Sequence, residues 1–162
     1  MGRYGVDEGA SAHGMVIIDG TEGSTVQMAA CCRPIPGDAL VGYLGRGEGL
    51  TVHTAECTVG KRLYDRDNER WLTVDWAEDI QRTFTTVVVI DIQNSQGALA
   101  RVAQAVSSAQ ADITHIEMDD NRGQETAEMR LTLAVRDRQH LAEVLRVVKR
   151  SPVVLRVSRA KA

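Results

Sequence analysis

All the cysteines of the chain lie between Cys31 and Cys57, and this stretch constrains the fold more than any other. Cys31 and Cys32 are adjacent, and His53 precedes Cys57 by four positions. Three thiols and one imidazole are the donor set of a Cys3His structural zinc site. Neighbouring residues of a strand point to opposite faces, so both adjacent cysteines reach one metal only if the backbone turns there. The Pro-Ile-Pro-Gly sequence that follows is suited to such a turn.

Two interpretations of these residues stay open at this point. In one, Cys31, Cys32, His53 and Cys57 bind zinc and close a small module. In the other, the thiols are reduced, buried and act as small apolar groups, as free cysteines commonly do. The C-C-x20-H-x3-C spacing differs from the C-x2-C pattern of most zinc modules. A disulfide is disfavoured, because three cysteines leave one unpaired and nothing in the sequence indicates export.

The residues around the cysteines resemble a known family. The segments that carry the resemblance are Cys31–Asp38 (Cys-Cys-Arg-Pro-Ile-Pro-Gly-Asp), Val41–Tyr43, Gly47–Gly49 and Val52–Cys57. They are similar to the conserved-cysteine, or zinc-finger, module of the RelA/SpoT family, the synthetases and hydrolases of guanosine tetra- and pentaphosphate. In that family an ACT domain follows the cysteine module. The resemblance extends over residues 20–160 and includes nothing of the catalytic modules. It implies a regulatory C-terminal fragment whose parent enzyme is bifunctional.

Composition and targeting signals are those of a soluble protein. Charged residues make up 25% and apolar residues 43% of the chain, which is ordinary for a globular domain. The longest aliphatic run, Val87–Ile90, is far too short to span a bilayer, and the N-terminus lacks the apolar segment of a secretory signal. We therefore expect a cytoplasmic protein without membrane contact.

The fold class predicted from the sequence is α+β, in two modules. Residues 1–14 are rich in Gly, Ala and Ser and are predicted to be a linker, with an artificial leader at Met1. Residues 15–80 form the small mixed α/β cysteine module, and residues 82–160 form the ACT domain. A module of that first size is near the lower limit for folding on an apolar core, which itself favours a metal or a partner surface.

In the cysteine module, short apolar runs predict strands and one helix. The predicted strands are residues 15–18, 25–30, 39–44, 50–53 and 71–76. Thr54 is predicted to be the N-cap of a helix over residues 55–64, with Cys57 in its first turn.

The second module has the clearer pattern. Alternating apolar residues predict strands at residues 84–92, 112–118, 127–135 and 153–157. Periodic apolar residues predict a helix from Gly97 to Ala109 with a stripe of Leu99, Val102 and Val106, and a second helix capped by Asp137. The order βαββαβ is that of a ferredoxin-like fold. RNA-recognition motifs share this topology but stack bases on aromatic rings, and no aromatic residue follows Phe84.

The segment Ile92–Leu99 resembles the turn at which ACT domains bind amino acids. The resemblance implies a ligand site formed by seven residues, namely Ile92, Asn94, Gly97, Ala98, Leu99, Asp112 and Ile113, with Asp112 coming from a neighbouring subunit. The glycine permits close backbone approach, and free N–H groups at the helix start suit a carboxylate. The apolar members favour a branched-chain amino acid. The alternative is a plain turn that needs its Asn and Gly for backbone geometry alone. Ile92 stands where some ACT pairs have a polar strand residue.

The remaining histidines do not indicate catalysis. His115 is predicted on the open sheet face or a dimer seam, and His140 is predicted to be solvated. Neither has a neighbouring nucleophile and carboxylate in the sequence, and P-loop, dinucleotide-binding and metallohydrolase patterns are lacking. We therefore predict that this fragment is not an enzyme.

The leading functional hypothesis is a regulatory fragment that senses an amino acid through an ACT homodimer. Its cysteine module would dock against the catalytic domains of the parent enzyme or against ribosomal RNA. One alternative is an RNA-binding or ribosome-binding module that uses basic residues, namely Lys149, Arg150, Arg156 and Arg159. Another is a thiol or metal redox sensor that uses the three cysteines.

Overall fold

The computed structural model of the chain describes residues 15–45, 47, 49–119 and 124–161. Backbone contacts divide the chain into two compact units, Met1–Arg82 with Lys161–Ala162, and Thr83–Ala160. The predicted linker over residues 1–14, with His13, lies outside the described residues. In the part of the chain described, no helix is long and apolar enough to cross a membrane.

The first unit contains a five-stranded mixed sheet and an α-helix. Its elements are β1 (Met15–Ile18), β2 (Val26–Met28), β3 (Leu40–Gly45), β4 (Gly49–Thr54), α1 (Thr58–Arg66) and β5 (Trp71–Trp76). The strand order is β1-β5-β3-β4-β2. The two outer strands pair in parallel with their neighbours, whereas β3 pairs antiparallel with both β4 and β5.

An apolar cluster forms the core of this unit. Its buried members are Val16, Ile18, Val26, Leu40, Leu50, Val52 and Val74. They come from all five strands, and most alternate with less buried residues, as a sheet with one packed face requires; in β4, Val52 is followed by the buried His53. The packing is tight at Gly42, where an added Cβ would lie 2.6 Å from Val74 Cγ2.

The helix of the first unit begins later than the sequence predicts. Thr54 is not its N-cap, because β4 continues through Thr54, which pairs with Leu40 of β3. Cys57 is the N-cap instead, and its Sγ accepts a hydrogen bond from the Gly60 N–H at 3.4 Å. A thiol is a less usual cap than a hydroxyl. The prediction based on the preference for threonine therefore placed the helix start three residues too early.

Substitution of Gly49 is expected to test the contact between β4 and the residue before β2. A Cβ at Gly49 would lie 2.6 Å from the Thr25 carbonyl oxygen, and the residue has φ +81°. Gly47 has a similar φ of +73° but nothing within 4 Å of its added Cβ. Both alanine variants incur the roughly 1–2 kcal/mol of left-handed backbone strain. We expect Gly49→Ala to lower the free energy of unfolding by about 2 kcal/mol more than Gly47→Ala, because of the backbone clash. Urea denaturation of both variants measures the difference, and equal losses would contradict the described contact.

The second unit has the predicted ferredoxin-like βαββαβ order. Its elements are β6 (Phe84–Gln93), α2 (Ala98–Ser108), β7 (Asp112–Met118), β8 (Thr126–Val135), α3 (Arg138–Lys149) and β9 (Val154–Arg159). The antiparallel sheet has the order β7-β8-β6-β9. The prediction of an α+β fold is confirmed.

Alternation on the strands builds the core of the second unit as predicted. The inward residues of β8 are all buried, namely Ala127, Met129, Leu131, Leu133 and Val135. Helix α2 contributes Val102 and Val106, together with Ala98. The prediction that Leu99 belongs to the buried stripe is wrong, since its side chain is 39% exposed. The small Ala98, on the other flank of the stripe, packs inward in the first turn in its place.

The prediction that His140 is solvated is also wrong. Its side chain is 5% exposed. Its Nδ1 accepts a hydrogen bond from the Arg136 N–H at 3.0 Å, and its Nε2 lies 2.8 Å from the Ala109 carbonyl oxygen. Because Nδ1 accepts, Nε2 carries the proton and donates it to Ala109. The neutral ring therefore ties the start of α3 to the end of α2. Asp137 caps α3 as predicted, accepting from the His140 N–H.

Candidate metal centre

The cysteine pair lies in a tight turn directly after β2. Ala29 donates its N–H to the Val52 carbonyl, and the Arg33 N–H returns to the Ala29 carbonyl at 2.9 Å. Arg33 has φ 48°, a left-handed conformation. This is the backbone turn that two adjacent cysteines need in order to face the same point. The turn places Cys31 and Cys32 beside β4.

The other two donors come from β4 and from the start of α1. His53 is the penultimate residue of β4 and is buried. Cys57 is the N-cap of α1. The Cys57 N–H donates to the Thr54 carbonyl at 3.1 Å, so a short turn links the strand to the helix. The predicted ligands are therefore brought together by three separate backbone segments.

The four donor atoms converge on one point. The three Sγ atoms and the His53 Nδ1 all lie within 4.8 Å of one another. Cys31 Sγ is 3.6 Å from Cys57 Sγ and 4.0 Å from Cys32 Sγ. The His53 Nδ1 is 3.5 Å from Cys31 Sγ and 3.9 Å from Cys32 Sγ. Cys32 and Cys57 are buried and Cys31 is half-buried.

These separations fit a tetrahedral metal ion. With Zn–S near 2.3 Å and Zn–N near 2.0–2.1 Å, the edges of a regular tetrahedron are about 3.8 Å between sulfurs and about 3.6 Å between sulfur and nitrogen. Four of the six donor separations, 3.5, 3.6, 3.9 and 4.0 Å, lie close to those edges, and the other two are within 4.8 Å. The residues therefore fit an ion with three thiolate ligands and one imidazole ligand, which is one of the two interpretations that the sequence left open.

Backbone N–H groups point at two of the sulfurs. The Thr54 N–H donates to Cys32 Sγ at 3.3 Å, and the Gly60 N–H donates to Cys57 Sγ at 3.4 Å. Such donors stabilise a thiolate, which is the form that binds metal. Sequence reasoning did not assign Thr54 or Gly60 this role. Backbone donors leave no mark in residue identity, so no sequence signal could have found them.

The three thiols differ in how readily they ionise. Burial raises the pKa of the Cys31 thiol to about 12, and it also raises the pKa of Cys32. Burial acts in the same direction on Cys57, but hydrogen bonds from the Gly60 N–H and from the other two thiols outweigh it and lower its pKa. In the metal-free chain Cys57 is therefore the thiol that ionises first.

The imidazole ligand is held in its neutral form. Burial lowers the pKa of His53, which favours the uncharged ring that metals bind. Gly60 of α1 packs against this ring so closely that an added Cβ would be 3.3 Å from His53 Cγ. On another side, the Trp71 ring centroid is 6.0 Å from that of His53. Tyr43 and Tyr64 pack in turn on Trp71. Sequence analysis missed this aromatic support, since the three rings come from β3, α1 and β5.

In the second unit, the predicted amino-acid turn lies between β6 and α2. Ile92 is buried, and Gly97 is the N-cap of α2 with φ 82° and open space around an added Cβ. The Ala98 N–H is already hydrogen-bonded to the Ser95 carbonyl at 3.2 Å. Asn94 Nδ2 donates to the Gln124 carbonyl at 3.0 Å. Part of the predicted polar set thus serves the turn itself.

Asp112 and Ile113 lie at the other end of the same sheet. Ile92 pairs with Ala127 of β8, whereas Ile113 pairs with Leu133 of β8. Positions 127 and 133 of one strand are roughly 20 Å apart. Within one chain, the structure therefore does not bring these two residues to the turn. They join it only if a second copy supplies them, as the resemblance implies.

Comparisons with known proteins found a matching domain for each of the two units. The sequence model of the RelA/SpoT RIS domain matches residues 16–77, and that of the ACT domain matches residues 80–159. The bifunctional (p)ppGpp synthase/hydrolase SpoT of Escherichia coli is 32% identical over 98% of this chain and 22% of that protein. The GTP pyrophosphokinase of Streptomyces coelicolor is 31% identical over 86% of this chain and 16% of that protein.

A solved structure was also found for part of the chain. The ACT domain from the GTP pyrophosphokinase of Chlorobium tepidum aligns with a TM-score of 0.42 at 15% identity, over 48% of this chain and 99% of that one. The chain spans about a fifth of the length of the curated relatives it matches. The two matched sequence models and the identity over nearly the whole chain show that it belongs to the RelA/SpoT family and corresponds to its C-terminal regulatory region, a RIS domain followed by an ACT domain.

Proposed function

We propose that the RIS domain binds one zinc ion through Cys31, Cys32, His53 and Cys57. The proposal depends on one observation, the near-tetrahedral spacing of three sulfurs and one nitrogen. Bound zinc supplies a structural cross-link here rather than a reactive centre, because all four positions of a tetrahedron have a protein ligand. The turn after β2, strand β4 and helix α1 would be joined at one point. This would compensate for the small apolar core of the unit.

The chain is proposed to be a non-catalytic regulatory part of a cytoplasmic enzyme that makes and hydrolyses (p)ppGpp. The support is the similarity to a (p)ppGpp synthase/hydrolase and to a GTP pyrophosphokinase, together with the two domains that match here. The catalytic domains of that parent enzyme would be its first partner. A ligand that binds one arrangement of the regulatory domains better than another would shift the balance between synthesis and hydrolysis.

The ACT domain is proposed to bind a branched-chain amino acid at the turn between β6 and α2. Gly97 leaves open space at the helix start, and its positive φ exposes the backbone to a ligand carboxylate. Helix N-termini favour such anions. The exposed Leu99 and the half-buried Ile113 would contact the aliphatic side chain. The alternative of a plain turn is what the experiment below excludes or supports.

The same site is proposed to need a homodimer. Asp112 and Ile113 are too far from the turn within one chain, so they would come from a second copy. Strand β7, which carries them, is an edge strand of its sheet. Its Ile116 and Met118 are 40% and 43% exposed. An edge strand with exposed apolar side chains is suited to pairing with another copy.

The RIS domain is proposed to be a rigid docking module. Leu44 and Tyr64 are large apolar or aromatic side chains that it exposes to solvent. Tyr64 is held by its packing on Trp71, 5.9 Å between ring centroids. A surface fixed in this way suits either the parent enzyme's own domains or ribosomal RNA. Crosslinking in the parent enzyme and salt-dependent RNA binding would distinguish the two.

Substitution of Gly97 tests the amino-acid site. We expect valine or isoleucine to bind the 162-residue chain in calorimetry, and we expect Gly97→Asp to abolish that binding by placing a negative charge beside the ligand carboxylate. Gly97→Asn is the matched control, because asparagine has the same shape, tolerates positive φ and carries no charge. Circular dichroism checks that both variants are folded.

Two results would contradict the proposed site. If Gly97→Asp binds valine as well as Gly97→Asn does, the site lies elsewhere. If the folded, dimeric chain gives flat titrations with valine, isoleucine and unrelated amino acids, the ACT domain is not an amino-acid sensor.

A further inference from the structure

A second concave site lies in the ACT domain, over one end of the sheet. A cavity of about 420 Å³ opens there. It is lined by side chains from β6, β8 and β9 and from the residue Gln124, two positions before β8. None of the residues predicted for the turn between β6 and α2 lines this cavity. It is therefore a separate candidate site on the same domain.

A β-bulge shapes one wall of the cavity. Asp91 pairs with Arg156 of β9, but the next residue, Ile92, pairs with Val154. Leu155 is therefore the extra residue of β9, and its side chain is 50% exposed. Bulges redirect side chains and are frequent next to binding sites. Here the bulge places a large apolar side chain in the lining of the cavity.

Three charged residues form a row across the floor of the cavity. Asp91 of β6 lies opposite Glu128 of β8 on one side and Arg156 of β9 on the other. Residues paired in this way point to the same face, with about 5 Å between neighbours. Across the three strands the row thus has one positive and two negative groups.

The charged groups of this row do not form ion pairs with one another. Among the described residues, the ion pairs within 4.0 Å do not include Asp91, Glu128 or Arg156. Arg156 lies on the edge strand β9 directly beside Asp91, where a guanidinium would ordinarily pair with the neighbouring carboxylate. The arrangement instead leaves both kinds of group turned to the cavity that they line.

Another part of the cavity lining is positioned by the turn that follows β6. The Asn94 N–H donates to the Glu125 carbonyl at 2.8 Å, and Asn94 Nδ2 donates to the Gln124 carbonyl at 3.0 Å. These two hydrogen bonds hold the residues just before β8 against the end of β6. Gln124 is itself part of the cavity lining, and its backbone is held by this turn.

We propose that this cavity binds an α-amino acid with a basic side chain, such as lysine or ornithine. Arg156 pairs with the ligand carboxylate, as guanidinium groups do. Asp91 binds the α-ammonium group, and Glu128 binds the side-chain cation. The ligand's two positive groups and one negative group balance the two carboxylates and one guanidinium of the row. Leu155 contacts the methylene chain. The site does not depend on the ligand proposed for the turn at Gly97.

Calorimetry of the 162-residue chain with lysine, ornithine and valine tests this site. We expect lysine to bind and both Arg156→Gln and Asp91→Asn to weaken it tenfold or more, as loss of a charge-assisted hydrogen bond does. Glu128→Gln should weaken the binding of lysine more than the binding of valine. Arg130→Gln is the matched control, since Arg130 lies on β8 two residues from Glu128 and outside the cavity lining.

The outcomes separate this site from the turn. Loss of lysine binding in Arg156→Gln with retention in Gly97→Asp supports the cavity as an independent site. Loss of lysine binding in Gly97→Asp with retention in Arg156→Gln overturns it. Flat lysine titrations of the folded wild-type chain would also overturn the proposed site. Equal lysine affinity in Arg130→Gln and Arg156→Gln would overturn it as well. Chemical shifts of Asp91 and Leu155 amides on addition of lysine give a second readout, and unchanged shifts at saturating lysine also overturn the proposal.

Discussion

Replacement of Cys57 by serine is expected to remove the metal and most of the stability of the RIS domain. Structural zinc contributes on the order of 10–16 kcal/mol to the folding of small zinc modules. Cys57 has two roles, since its sulfur is one of the four donors and also caps α1. A serine hydroxyl retains some capping ability but is a poor zinc ligand. We therefore expect zinc content to fall from one per chain towards zero, and the cooperative unfolding of this unit to be lost.

Ala55→Ser is the control for this variant. Ala55 is exposed and lies in the turn between His53 and Cys57, so the same hydroxyl is added without removing a donor. Zinc content by mass spectrometry and thermal unfolding by circular dichroism compare the two. A Cys57→Ser chain that keeps stoichiometric zinc and the wild-type unfolding midpoint would show that Cys57 is not a ligand.

Replacement of His140 by alanine is expected to destabilise the ACT domain by about 3 kcal/mol. The substitution leaves a cavity between α2 and α3, and it removes the partners of the Arg136 N–H and the Ala109 carbonyl. Buried groups that lose their hydrogen bonds cost about 1–3 kcal/mol each, and the cavity adds to this. Urea denaturation of the second unit measures the loss.

His115→Ala is the matched control for this prediction. The His115 side chain is 63% exposed on β7, so the same change of residue type removes little buried contact. We expect its effect to stay within about 0.5 kcal/mol. Equal effects of the two substitutions would mean that the buried bridge of His140 contributes nothing to stability.

Features of the structure could be predicted from the sequence wherever one physical rule dominated. Strict alternation from Ala127 to Val135 placed β8 and its inward face correctly, because a one-residue slip would expose every apolar side chain. The prediction that Asp137 is an N-cap is confirmed, because its side chain accepts a hydrogen bond from the His140 N–H. The donor types at Cys31, Cys32, His53 and Cys57 left a zinc site and buried free thiols as alternatives, and the structure brings these four side chains together.

The errors arose where tertiary contacts overrode local preference. Thr54 is a better cap than Cys57 by residue type, yet its pairing with Leu40 keeps it in β4. His140 is polar and near a helix start, which suggests solvent, but two backbone groups from different segments satisfy its ring. The sequence did not predict where Arg156 lies in the sheet, and its suggested role in RNA binding stays a prediction. Its position beside Asp91 depends on strand pairing, which spacing along the chain does not reveal.

X-ray absorption at the zinc edge of the purified 162-residue chain is the most direct measurement of the proposed metal site. We predict one zinc per chain with three sulfur ligands at about 2.3 Å and one nitrogen ligand at about 2.0–2.1 Å. A folded chain that contains no metal and has three freely reactive thiols would contradict the site, as would a zinc shell that lacks nitrogen.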